Sequence, residues 1–157
     1  MPSRGHHVDV ESTAPTYRGT FSFAGPAGDA LELVGSASKV VKVRRIVIDR
    51  PSAETVAVFN KRSAADTGGT ATAATVVPVD SGDPAGTAVL KRYTVAPTQG
   101  TLVGEVNRVT VGVTQTLFES FGDGTSKPLV LRGTAETLCV TLTVAATIRG
   151  MVEWTEE

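Results

Sequence analysis

The chain has 157 residues, 41% of them hydrophobic and 20% charged, with a formal net charge of -1 and a single cysteine. That length suits one domain with a sizeable core, and so balanced a charge gives no bulk attraction to nucleic acid or to an anionic membrane. No apolar run reaches the length of a membrane span, the polar start carrying His6 and His7 lacks a signal-peptide core, and one cysteine excludes an internal disulfide or a cysteine-based zinc site. The expectation is a chain made in the cytoplasm, without cofactor or metal, held together by packing or by neighbouring subunits.

Val and Thr are abundant, Gly numbers 16 and Pro 8, and strong helix formers are sparse, so strands separated by turns are expected throughout. Residues 1–15 are polar, bounded by Pro2 and Pro15, and read as an arm that orders only against a neighbour, with Val8 and Val10 as its apolar contacts. Residues 16–157 read as one domain. Thr16 to Ala24 alternates as a strand, with Tyr17, Phe21 and Phe23 on one face as core or interface anchors. Asp29 to Val34 is a short strand. Lys39 to Asp49 is a long one whose apolar parity flips between Val41/Val43 and Ile46/Ile48, which requires a β-bulge near Arg44-Arg45. Glu54 to Lys61 follows. Later come Ala88 to Val95, Glu105 to Val113 with Val109, Val111 and Val113 on one side, and Lys127 to Arg132. Thr114 to Phe121 is too short to assign between helix and strand. Glu136 to Val144 alternates most clearly, with Leu138, Val140, Leu142 and Val144 expected inward and Thr137, Cys139, Thr141 and Thr143 outward, and Thr147 to Thr155 closes the series. Eight or nine such strands imply an all-β, antiparallel β-sandwich of jelly-roll kind, with a barrel as the alternative.

Residues 62–86 are nearly all small or turn-forming, punctuated by Gly68-Gly69, Val77-Pro78 and Asp83-Pro84, and so read as one long loop that no regular element crosses. Long ordered loops usually bind something, and Val76, Val77 and Val79 supply an apolar patch. The candidate interface is therefore Val8, Val10, Tyr17, Gly68, Gly69, Val76, Val77 and Val79.

Within and beyond this loop, the runs Lys61-Arg62-Ser63, Thr67-Gly68-Gly69-Thr70, Val77 to Ala85, Thr87-Ala88-Val89 and Tyr93-Thr94 resemble small virion structural proteins of tailed bacteriophages and prophages. The resemblance continues through Val130-Leu131-Arg132-Gly133-Thr134 and the ending Val152 to Glu157, and leaves the first twenty residues outside. It implies a non-enzymatic virion component made in the host cytoplasm, without saying whether it belongs to head or tail.

Nothing in the chain spells out a catalytic constellation. The only histidines lie in the arm, no phosphate-loop pattern follows Gly122-Asp123-Gly124, and Asp80, Asp83 and Asp123 lack the spacing of a calcium loop. The expectation is a capsid decoration or cement protein bound to the major capsid protein, self-associated as a trimer or dimer, with no specific nucleic acid and no membrane as partner. The alternative is a tail or fibre module that binds a receptor or glycan, for which the loop offers only its flanking aromatics Phe59 and Tyr93.

Overall fold

The computed structural model describes residues 14–122 and 126–157, and among these there is no helix. Twelve strands follow in chain order: β1 (Thr16–Gly25), β2 (Gly28–Val34), β3 (Val40–Asp49), β4 (Thr55–Arg62), β5 (Thr70–Ala73), β6 (Val76–Pro78), β7 (Val89–Val95), β8 (Leu102–Val111), β9 (Thr116–Ser120), β10 (Leu129–Arg132), β11 (Thr137–Leu142) and β12 (Ala146–Glu156). They form two antiparallel sheets, one ordered β10-β3-β12-β1-β6 with β9 also beside β3, the other β5-β7-β2-β11-β4-β8. The sheets pack face to face, as the alternation predicts: Tyr17, Phe21, Ile46, Ile48 and Trp154 from the first meet Leu31, Leu33, Phe59, Leu90 and Val140 from the second. Each large side chain so buried contributes about 1.5–3 kcal/mol.

The pairing is nested. β1 pairs with β12, β2 with β11, β3 with β9 and β10, and β4 with β8, so the chain folds back on itself from both ends. The expected bulge in β3 is present: Arg45 faces Glu153 and Val43 faces Trp154, which leaves Arg44 as the extra residue and keeps Val41, Val43, Ile46 and Ile48 all in the core. The stretch left open at Thr114 to Phe121 is strand, because β9 takes its hydrogen bonds from β3.

Two expectations are corrected and a third is extended. The long segment is crossed by regular structure after all: β5 pairs with β7 at the edge of one sheet and β6 with β1 at the edge of the other. Small residues suffice because each strand is only a few residues long and borrows its ladder from a longer neighbour. Val113 and Val144 lie past the ends of their strands and are exposed. Thr137 and Cys139 point away from the sandwich interior, yet both are fully buried, because loops cover the outer face of their sheet.

Candidate functional site

That covered outer face carries the densest polar chemistry among the described residues. It lies over β2, β11 and β4 and is roofed by residues 63–69 after β4 and 97–100 after β7. A bulge in β2 places it: Leu31 faces Val140 while Asp29 faces Thr141, so Ala30 is the extra residue and turns inward. Asp29, which simple alternation would put in the apolar core beside Leu31 and Leu33, is thereby delivered to the polar side.

Arg62, 3% exposed, lies between two carboxylates: its guanidinium is 2.8 Å from Asp29 Oδ2 and 3.6 Å from Asp66 Oδ1, and its Nη1 donates to the Gly100 carbonyl at 3.0 Å. Asp29 also accepts from Gln99 Nε2 at 3.0 Å and from the Thr141 hydroxyl, which itself accepts from Asn60 Nδ2. Asp66 Oδ1 accepts the Gly100 amide at 2.9 Å, and the Asp66 amide donates to Glu32 Oε1 at 2.8 Å. Glu32 is held in turn by Tyr93 at 2.7 Å and Lys91 at 2.9 Å. Both loops are thus fastened to the sheet through buried charge-assisted bonds.

The cluster carries three carboxylates against two cations, and the excess is felt by Asp66. Burial, then a hydrogen bond and repulsion from Asp29, push its carboxyl up to about 6 despite the Gly100 amide. Burial pushes the Cys139 thiol up as well, with Asp66 adding to it, so the thiol is neutral and no nucleophile. Burial and Glu32 together raise the Tyr93 phenol. Ligand atoms of Asp29, Asp66 and Cys139 lie within 4.8 Å of one another, but Arg62, Gly100, Gln99 and Thr141 already engage the two carboxylates, and the arrangement is that of a structural clasp. Replacing Asp66 with asparagine tests it. Protonation in the fold adds stability as pH falls from about 6 towards 3.8, on the order of 2–3 kcal/mol at most. The asparagine side chain mimics the protonated form, so Asp66→Asn is expected to remove that gain. The melting difference between variant and wild type should be largest above pH 7 and shrink by pH 4.5; a pH-independent difference would contradict the shifted carboxyl.

The residues singled out from sequence are dispersed. Val8 and Val10, like His6 and His7, lie outside the described residues, and so does Asp123. Tyr17 is a core residue, 1% exposed, stacked on Trp154 with ring centroids 6.2 Å apart and donating its hydroxyl to Pro84 at 3.0 Å; it is not available as an exposed interface. Gly68 and Gly69 both adopt φ of 68°, and a Cβ at Gly69 would stand 2.6 Å from the Val95 carbonyl, so this pair forms the turn into β5. Val76 is half-buried, whereas Val77 and Val79 are exposed. Asp80 caps its own turn by accepting the Gly82 amide, with Asp83 donating to its carbonyl.

Sequence reading missed Asp29, Glu32, Arg62, Asp66 and Tyr93 as a group. The available signal was charge inside strands, Asp29 and Glu32 in β2 and Arg62 at the end of β4. Comparison with protein-family models, with curated proteins and with solved structures gives no match.

Proposed function

We propose that the protein is a non-enzymatic assembly subunit of a tailed-phage particle, a capsid decoration protein seated on the major capsid protein. The carrying observation is β8, an edge strand of ten residues whose outer side is unpaired among the described residues and whose Leu102, Val103 and Val106 are exposed. Exposed apolar side chains grouped on a free edge mark an interaction surface. The edge is also guarded: Val103 and Val106 are the extra residues at its two register shifts against β4, and Glu105 and Arg108 form an ion pair along it. Bulges and charges of this kind discourage indiscriminate strand pairing, so the edge suits one shaped partner. The titratable clusters, by contrast, are buried and engaged with protein donors.

The nested strand order supports reading the fold as a jelly roll with β5, β6 and β7 inserted between its fourth and fifth strands. The alternative of a receptor- or glycan-binding tail module loses its aromatic platform, because Phe59 and Tyr93 are both buried.

The test is co-sedimentation with shells assembled from the major capsid protein of the phage that encodes the chain. Wild type is expected to saturate the shells. Leu102→Glu with Val103→Glu should weaken binding about tenfold or more, since each replaces an apolar contact of about 1.5 kcal/mol or more. Saturation by the double variant would remove β8 from the interface, and binding to tail assemblies alone would favour the other module.

A further inference from the structure

Another open edge lies on β1. β6 covers that edge only at Tyr17, Arg18 and Gly19, and from Thr20 to Gly25 no strand among the described residues pairs with it. The Thr16 carbonyl accepts the Val79 amide at 2.7 Å, so by the alternation of an antiparallel ladder the backbone groups of Thr20, Ser22 and Ala24 face the same edge. Beside them opens a cleft of about 470 Å³ lined by Thr20, Phe21, Ser22, Ala74, Thr75 and Arg92. Arg92 comes from β7 of the opposite sheet and is half-buried. Its backbone pairs with Leu31 and Thr72, but no hydrogen bond or ion pair joins its guanidinium to another described residue. A cleft beside an open strand edge, with backbone groups and one guanidinium that have no partner among the described residues, is suited to an extended acidic segment.

We propose that this slot receives residues 8–11 of a second copy of the chain. Val8-Asp9-Val10-Glu11 alternates apolar and acidic residues at the period of a strand, so Asp9 and Glu11 share a face that can be turned to Arg92, while Val8 and Val10 lie over Thr20 and Ser22. Chain reach selects another copy over the same one. An arm leaving Ala14 must pass β6 before meeting the open edge, and at about 3.4 Å per residue the detour to Thr20 takes about six residues. That brings Val8 only to the mouth of the slot and leaves Asp9 to Glu11 beside β6. A neighbour's arm has no such detour. Such a contact joins two different surfaces, so repetition closes a ring, or two arms exchange reciprocally. The inference rests on the reading of the protein as an assembly subunit and names how its copies join.

Two full-length variants, Val10→Cys and Ser22→Cys, are mixed and oxidised, with the buried Cys139 as a silent background thiol. A disulfide joining one variant to the other is expected, and only between chains. Arg92→Glu in the Ser22→Cys chain should lower its yield about tenfold, and Asp9→Lys with Glu11→Lys in the Val10→Cys chain should restore it. Arg92→Gln, a milder change, should give an intermediate yield if Arg92→Glu impairs folding. No cross-link between the chains, a yield indifferent to residue 92, or a cross-link only within a chain carrying both cysteines would overturn the proposal. Shell binding is read separately, so either idea can fail alone.

Discussion

Replacing Arg62 with leucine is expected to lower the unfolding free energy by about 3–5 kcal/mol, the loss seen when one partner of a buried ion pair is removed. The leucine would fill much of the same space while leaving Asp29 fully buried beside Asp66, and the Gly100 carbonyl would lose its donor. Arg62→Lys should recover only part, because one ammonium cannot reach Asp29, Asp66 and Gly100 together as the guanidinium fork does. Adding Asp66→Asn to Arg62→Leu should restore about 1 kcal/mol or more by lifting the repulsion on Asp29, a coupling between residues that share one network. Urea denaturation at constant m-value measures all three. A loss below about 1 kcal/mol for Arg62→Leu would mean that the loops at 63–69 and 97–100 hold themselves, and that the clasp is ornamental.

How much of this was legible follows from where each fact is encoded. The parity flip in β3 is local: among its six apolar residues Val41 and Val43 announce one face and Ile46 and Ile48 the other, and one extra residue at Arg44 buries all four. The polar clasp is not local. Its residues are separated by long stretches of chain, and the outer face of β11 is buried because a roof arrives from elsewhere, so Thr137 and Cys139 look exposed in any reading of alternation alone. Asp29 is hidden twice, since a bulge at Ala30 reverses its parity. The segment at residues 70–78 failed for a related reason. Propensity speaks for isolated strands, and Thr70–Ala73 and Val76–Pro78 are strands through their partners β7 and β1. The open edge of β1 could not be seen until the length of β6 was known.

Glu156→Ala is expected to cost about 3–4 kcal/mol, on the scale of several buried donors left without an acceptor. The last turns of β12 alternate so that Trp154 and Glu156 both face inward, and Glu156, 3% exposed, accepts the Thr87 amide at 2.9 and 3.0 Å, the Ala88 amide at 2.9 Å, the Thr87 hydroxyl at 2.6 Å and Trp154 Nε1 at 3.0 Å. It therefore fastens the end of the segment that Tyr17 holds at Pro84, and removing it frees that segment from the core aromatics. Glu156→Gln should lose about 2 kcal/mol, because its amide would place a donor against donors. Burial alone would raise this carboxyl, but the bonds from Thr87, Ala88 and Trp154 outweigh burial and hold it below its ordinary 4.5. A carboxylate depressed in the fold contributes stability fully above its unfolded value and loses it as pH falls through the folded one. The gap between wild type and Glu156→Ala should thus be constant above pH 5 and narrow below 4.5. Asp66 acts with the opposite sign, gaining as pH falls from about 6 towards 3.8, so these two groups together make stability rise as pH falls from about 6 and place its maximum near 4.5 or just below. Thermal melts across that range measure the effect, and a gap for Glu156→Ala that widens on acidification would show that its carboxyl is not held ionised by Thr87, Ala88 and Trp154.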